Sequence, residues 1–272
     1  MKYADLHIHS CYSDGTLTPE EIIALARENG VKFISITDHD TIASQYIINS
    51  NWEDISIIPG IELSTEFQEL EIHLLGYNVD IENEKLKEVV NMLKKCRMNR
   101  IEEILFELRK YGIYLELEDL DINLNSTVGR SHIANAMVKK GYFDNYKTAF
   151  ISYLVKGKPA YVKGVKLDYK DAIDVIYTSG GIPVLAHPGQ IYRGMDIERV
   201  IKTLKCYGLK GVEVYHPSHS KDQTNYFYNL AKKYKLVITG GSDYHGKDSF
   251  NNTVIGSFGI NELLLNKLIN IK

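Results

Sequence analysis

Cysteine is scarce: the 272-residue chain has 3, at Cys11, Cys96 and Cys206, far apart and odd in number. That argues against a disulfide framework and gives no zinc-finger spacing; it fits a reducing compartment. No apolar run reaches the roughly 18 residues that a membrane-spanning helix needs. The opening "MKYADLHIHS" has no long apolar core, so it does not read as a secretory signal. A cytoplasmic protein with no membrane role is the expectation. Excess positive charge is missing as well. With 32 Lys and Arg against 35 Asp and Glu, the formal net charge is −3, and no general basic surface advertises nucleic acid. There is no low-complexity tract, no Ser/Gly linker and no repeat beyond an alternation of short elements.

What is present is ordinary in bulk, 44% hydrophobic and 25% charged, as in a globular enzyme. Short apolar runs at 3–9, 32–37, 55–59, 71–77, 182–186, 211–215 and 236–239 read as strands, with helix-like segments between them. The clearest helix is "TPEEIIALARENG". Thr18 suits the N-cap, Pro19 the first helical position and Glu21 a capping box, and Gly30 suits the left-handed C-terminal position. Alternation of this kind predicts a parallel sheet with helical crossovers. Residues 83–156 break the rhythm. "EKLKEVVNMLKKCRMNRIEEILFELRKYG" repeats Val89, Leu93, Ile101, Ile104, Leu105 and Leu108 at helical spacing, and "GRSHIANAMVKKGY" reads as a further helix. The expected organisation is therefore an α/β barrel in two parts, residues 1–80 and 161–272, around a helical insertion at 81–160.

The 9 histidines do not fall at random. His9 ends "YADLHIH", His39 follows "FISITD", His187 ends "IPVLAH", His216 ends "VEVY", and His245 follows "VITGGSDY". Glu62 comes just after "ISIIPGI", and His73 lies inside "EIHLLGY". In a closed parallel barrel the strand C-termini share one face. Residues two apart on a strand share a side, so His7 and His9 would point into one mouth. A lone buried histidine is more often packed than ligating. The whole set is different, because burying many imidazoles and carboxylates without metal leaves costly desolvated charge. Mixed His/Asp/Glu shells suit zinc, iron or manganese and are catalytic in style. So many donors exceed one ion, which implies two or three. Asp14, Glu62 and Asp243 return only part of that positive charge, and a cationic mouth suits a phosphate ester.

The run "DLHIHSCYSDGTLTPEEIIALARENGVKFISITDHDT", with "GIEL", "EIHLLGY", "LAHPG" and "GSDYHG" following in order, resembles the PHP (polymerase and histidinol phosphatase) family. The resemblance implies a distorted (β/α)7 TIM-like barrel with two or three divalent ions at the strand ends. It implies one ion on His7, His9, Glu62 and Asp243, a second sharing Glu62 with His73 and His187, and a third on Asp14, His39 and His245. It also implies a metal-dependent phosphoesterase acting on a phosphomonoester. "GRSHIANAMVKKG" is similar to the insert of bacterial members that act on nucleoside 3′,5′-bisphosphates or RNA 5′ ends. There Arg130 would grip a phosphate bidentately, with His132 nearby.

Other assignments stay open. Glu62 and Asp243 enter catalysis through the metals. His219, in "HPSHS", is a candidate phosphate contact and proton donor, while His216 is read as packing beside the mouth. Asp38 or Asp40 would orient an imidazole, or cap or meet solvent. Lys158, Lys163 and "KKCRMNR" read as solvated. The expected substrate is a small phosphorylated molecule, a nucleotide or short oligonucleotide, with no obligate protein partner. A cyclic-phosphate phosphodiesterase, a histidinol-phosphate phosphatase, an amide hydrolase and a non-catalytic metal-binding accessory module are the alternatives.

Overall fold

The computed structural model describes residues 3–47, 52, 54–122, 126–191, 194–246 and 253–271. Its first element, β1 (Ala4–Ile8), is buried along its whole length and pairs in parallel with β2 (Phe33–Ile36), which pairs with β3 (Ser56–Ile57). Between β1 and β2 lies α1 (Pro19–Glu28). Its start is the expected capping box: the Glu21 N–H donates to Thr18 Oγ1 and the Thr18 N–H to Glu21 Oε2.

A second sheet holds six strands. In chain order they are β4 (Gly60–Phe67), β5 (Leu70–Tyr77), β6 (Leu167–Asp168), β7 (Ile182–Leu185), β8 (Gly211–Tyr215) and β9 (Val237–Gly240). Their spatial order is β6-β4-β5-β7-β8-β9. β5 runs antiparallel to both β4 and β7, while the other pairings are parallel. This corrects the all-parallel expectation. β4 and β5 form a hairpin whose turn residues Gln68 and Glu69 both take positive φ, 48° and 66°. Such a primed turn matches the twist of paired strands.

The architecture is α/β with mixed sheets, and the described strands do not close into one hydrogen-bonded barrel. At the end that carries the histidines, two seams are nonetheless stitched by backbone. Ile8 bridges Tyr244, and His39 bridges Glu62. The Asp243 N–H donates to His7 O at 2.8 Å, and the Asp40 N–H to Glu62 O at 2.9 Å. Crossover helices α5 (Tyr169–Thr178), α6 (Ile197–Cys206) and α7 (Lys221–Lys233), with the terminal α8 (Glu262–Ile269), cover the sheet. Their apolar faces join strand residues such as Ile61, Leu74 and Val212 in a continuous core.

The segment that broke the strand–helix rhythm is helical. α2 (Glu84–Arg109) is 26 residues long. Its first half buries Leu86, Val90 and Leu93 against the sheet core. Its second half buries Ile101, Ile104, Leu105 and Leu108 in a separate cluster with α3 (Arg130–Lys139) and α4 (Tyr146–Tyr153). One helix thus belongs to two cores, which fixes the helical cluster over the sheet. No described helix is long and apolar enough to cross a membrane.

Candidate metal centre

All nine donors anticipated from the sequence meet at one end of the sheets. His7 and His9 leave β1 on the same side, and both are fully buried. Their Nε2 atoms lie 3.1 Å apart, so at most one can carry a proton in that contact. Glu62, from the middle of β4, is fully buried too. Its Oε1 is 2.9 Å from His73 Nδ1 and 2.9 Å from His187 Nε2. Its Oε2 is 3.3 Å from His7 Nε2, 3.2 Å from His9 Nε2 and 3.1 Å from His39 Nδ1. One carboxylate therefore touches five imidazoles.

Of the other two carboxylates, Asp243 meets the same His9 nitrogen as Glu62, and Asp14 meets the opposite one. Asp243 Oδ1 lies 3.3 Å from His9 Nε2 and 3.5 Å from His7 Nε2. Asp14 Oδ1 lies 3.3 Å from His245 Nε2 and 3.7 Å from His9 Nδ1. Backbone geometry aims these groups. Asp243 and His187, each just past a strand, take φ of 50° and 23°, values that non-glycine residues rarely adopt and that mark functional positions.

The donor set fits divalent cations. Asp14 Oδ1, His39 Nδ1 and Glu62 Oε2 are buried with no hydrogen-bond partner, an expensive arrangement unless something electrophilic sits between them. Donor atoms within ion-binding reach of one another fall into overlapping groups: His9, Asp14, His39 and His245; His7, His9 and Asp243; His7, Glu62 and His187; His39, Glu62 and His73; and, on the Nδ1 side of the His7 ring, His7, Glu213 and His216. His73 and His187 share Glu62 Oε1 but fall in different groups, unlike the pairing implied by the family resemblance.

Charge in the cluster is strongly coupled. Burial works against the ionised form of Glu62, but His39, His7 and His73 outweigh it and hold the carboxyl well below its usual range. Asp14 and Asp243 are likewise held down by His245 against burial. Burial opposes charge on His73 and His245, yet Glu62 lifts the former and Asp14 the latter to about 10. His39 goes the other way, pushed by burial to about 3.

Beside the cluster, a recess is lined by Asp14, His39, Asp40, Glu71 and His73 and by Arg97, Arg100, Arg130 and Lys166; Arg97 pairs with Asp40 and Lys166 with Glu71. Arg130, at the start of α3, donates from Nη1 to Leu154 O and lies over the Phe150 ring. "KKCRMNR" is thus not a uniformly solvated face. Arg97 turns inward to Asp40, and Arg100 Nε donates to Val162 O. Lys163 is exposed and pairs with Glu66.

Other candidates are spoken for by backbone. His132 Nδ1 accepts the Gly129 N–H at the start of its own helix. His219 is bound at both ring nitrogens: Nδ1 donates to Val214 O, and Nε2 accepts the Gly189 N–H. It clamps the turn after β7 to β8. Asp38 accepts from the Ser10 N–H and from the Ser10 and Ser13 hydroxyls, which shapes the loop ahead of Asp14. Asp40 holds the Ser64 N–H and Arg97. Carboxylates that do hold an imidazole are Glu213, whose Oε1 lies 3.0 Å from His7 Nδ1, and the half-exposed Glu71, 3.5 Å from His73 Nε2. Sequence reasoning passed over Glu213. The available signal was a charged residue in the centre of the apolar strand "GVEVY". His216, whose Nε2 lies 3.2 Å from Asp243 Oδ2, sits closer to the centre than packing alone suggested.

Comparison with known proteins agrees with this geometry. The PHP domain matches residues 5–239. A 5′-3′ exoribonuclease of Haemophilus influenzae is 34% identical over 247 residues, covering 90% of this chain and 90% of that protein. A 3′,5′-nucleoside bisphosphate phosphatase of Chromobacterium violaceum is 30% identical over 250 residues, covering 90% and 88%. A solved structure described as a metal-dependent phosphoesterase, from Bifidobacterium adolescentis, superposes with a TM-score of 0.92 at 25% identity, covering 98% of this chain and 96% of that one. With the motifs in order and the donors gathered at one end of the sheets, the chain belongs to the PHP domain family.

Proposed function

We propose that this PHP protein is a metal-dependent phosphoesterase that hydrolyses a phosphomonoester on a nucleotide, either a nucleoside 3′,5′-bisphosphate or the end of a short oligonucleotide. The observation that carries the reading is Glu62: a fully buried carboxylate among five imidazoles, two of which, His39 and His73, line an adjoining recess together with Arg100 and Arg130. The names of the two curated relatives support the substrate class.

His7, His9, Asp14, His39, Glu62, His73, His187, Asp243 and His245 would hold two or three divalent ions, of manganese, iron or zinc. Such ions would supply a stronger nucleophile from water and neutralise charge on the phosphoryl oxygens. The chain's own contribution is orientation. Arg130 and Arg100, which line the recess beside Asp14, His39 and His73, would hold a phosphate of the substrate. His132, tied to its own helix end, would stand beside them. His219 has no free ring nitrogen in this arrangement, so the proton for the leaving oxygen would have to come from elsewhere. Residues 81–160 read as an insertion that roofs the site, supported by their separate apolar cluster. The two stitched seams support reading the sheets as a distorted, incompletely bonded barrel. The unpaired cysteines favour the cytoplasm.

The test is phosphate release with Mn2+ from adenosine 3′,5′-bisphosphate, a 5′-phosphorylated RNA, a cyclic phosphate and histidinol phosphate, repeated in EDTA. Turnover of the first two, abolished by EDTA, is expected. Preference for the cyclic or histidinol ester would reassign the substrate. Metal binding with no release from any ester would favour the accessory-module reading.

A further inference from the structure

We propose that Glu213 is a positioning residue that aims both His7 and His187 at the metal centre; this rests on the metal reading above. Glu213 lies in the middle of β8 and is fully buried. A carboxylate in an apolar strand is tolerated only when both oxygens are engaged. Oε1 accepts from His7 Nδ1 at 3.0 Å, and Oε2 accepts the His187 backbone N–H at 2.8 Å.

The first contact fixes a tautomer. A neutral imidazole that donates from Nδ1 presents its lone pair at Nε2. His7 Nε2 is the atom that faces His9 Nε2 at 3.1 Å, Glu62 Oε2 at 3.3 Å and Asp243 Oδ1 at 3.5 Å. The second contact fixes a backbone. His187 holds φ at 23°, and its ring reaches Glu62 Oε1 at 2.9 Å. A single side chain thus sets the ring of one donor and the main chain of another, on different strands. The neighbouring buried carboxylates act on backbone or on Arg97: Asp38 and Asp40 on the loops and the guanidinium, Asp5 on the Ser242 and Gly256 N–H groups.

The arrangement predicts a graded defect. Groups that use His7 or His187 depend on Glu213, whereas His9, Asp14, His39 and His245 do not touch it. In Glu213→Gln, size is kept but one acceptor must serve two donors, so one contact becomes donor against donor.

The experiment is equilibrium dialysis of the full-length protein with Mn2+, read by elemental analysis, for wild type, Glu213→Gln and Glu213→Ala, beside the melting temperature of each metal-stripped protein. Expected is an about ten- to hundredfold loss of affinity at part of the sites, with the remainder at wild-type affinity. Variants that bind like wild type, or that lose all sites together with the fold, overturn the role of Glu213. Wild type that takes up no Mn2+ overturns the metal reading instead. Because a variant can fail to fold, a second measurement uses wild type alone. Long-range 1H–15N spectra of the Zn2+-loaded protein should show His7 protonated at Nδ1, and an unprotonated Nδ1 overturns the proposal.

Discussion

Arg97 Nε donates to Asp40 Oδ2 at 2.7 Å, and this ion pair joins the long helix α2 to the strand end that carries His39. Arg97 also reaches Ser64 Oγ at 2.9 Å, and Asp40 Oδ1 holds the Ser64 N–H at 2.8 Å. Asp40 is 2% exposed. Removing Arg97 leaves that carboxylate buried with half its partners, which costs about 3 kcal/mol, toward the low end for a broken buried pair. Arg97→Ala should show that loss in urea denaturation of the metal-free protein. An unchanged midpoint would mean that the helix is held by its apolar face alone.

Glu62 is the one carboxylate common to two of the donor groups, touching His7, His9, His39, His73 and His187. Losing a single catalytic hydrogen-bond donor typically costs about 10²–10³ in rate, and Glu62→Ala should exceed that because more than one ion site goes with it. The check is phosphate release alongside bound Mn2+ per chain. Wild-type turnover in a metal-stripped Glu62→Ala protein would contradict the metal reading.

Most of this centre was legible because its donors follow apolar runs: His9 after β1, His39 after β2, His187 after β7, Asp243 after β9. What was not legible depends on contacts distant in sequence. The β4–β5 hairpin was hidden because Gln68 and Glu69 take positive φ without the glycine or asparagine that normally marks such a turn; residues 60–67 were therefore not read as a strand, and the sheet was expected to be parallel. His219 looked available because nothing in "HPSHS" says that the Gly189 N–H, 30 residues earlier, fills its Nε2. Glu213 was passed over because a lone acid in a short strand has no local signature, and its partner His7 lies 206 residues away.

The shifted imidazoles predict a stability maximum for the metal-free protein. His7, His9, His73 and His245 have raised folded values. Their contribution is full below the unfolded value near 6.5 and is lost as pH rises toward about 10, where His73 and His245 titrate. Burial lowers His39, His132, His187 and His219. For these, stability is full above about 6.5 and is lost as pH falls toward about 3 for His39 and about 4 for His219. Below the unfolded value the unfolded chain gains protons that the second set refuses; above it, the folded chain keeps protons on the first. Melting temperatures of EDTA-treated protein should therefore peak near about pH 6.5. A profile rising or falling steadily from pH 5 to 9 would refute this.

The same protons must leave when ions enter. His73 and His245, charged at neutral pH in the metal-free protein, can bind metal only as neutral imidazoles. Apparent Mn2+ affinity should therefore rise from pH 6 to 8, with net proton release. Calorimetry in two buffers of different ionisation enthalpy reads that release directly. Uptake of Mn2+ with no proton released would place these two histidines outside the ion sites.

Arg130 separates one phosphate from two. It lines the same recess as His39 and His73, and its Nη1 donates to Leu154 O. A charged hydrogen bond to a second phosphate is worth about 1.5–3 kcal/mol, so Arg130→Gln should lower kcat/KM for adenosine 3′,5′-bisphosphate by about ten- to a hundredfold. Turnover of p-nitrophenyl phosphate, which has no second phosphate, should hardly change. Measuring both substrates on one preparation removes any effect of altered folding, since a damaged fraction lowers both alike. Equal losses on the two would show that Arg130 serves the packing of α3 against Phe150 and the Leu154 carbonyl rather than a distal phosphate.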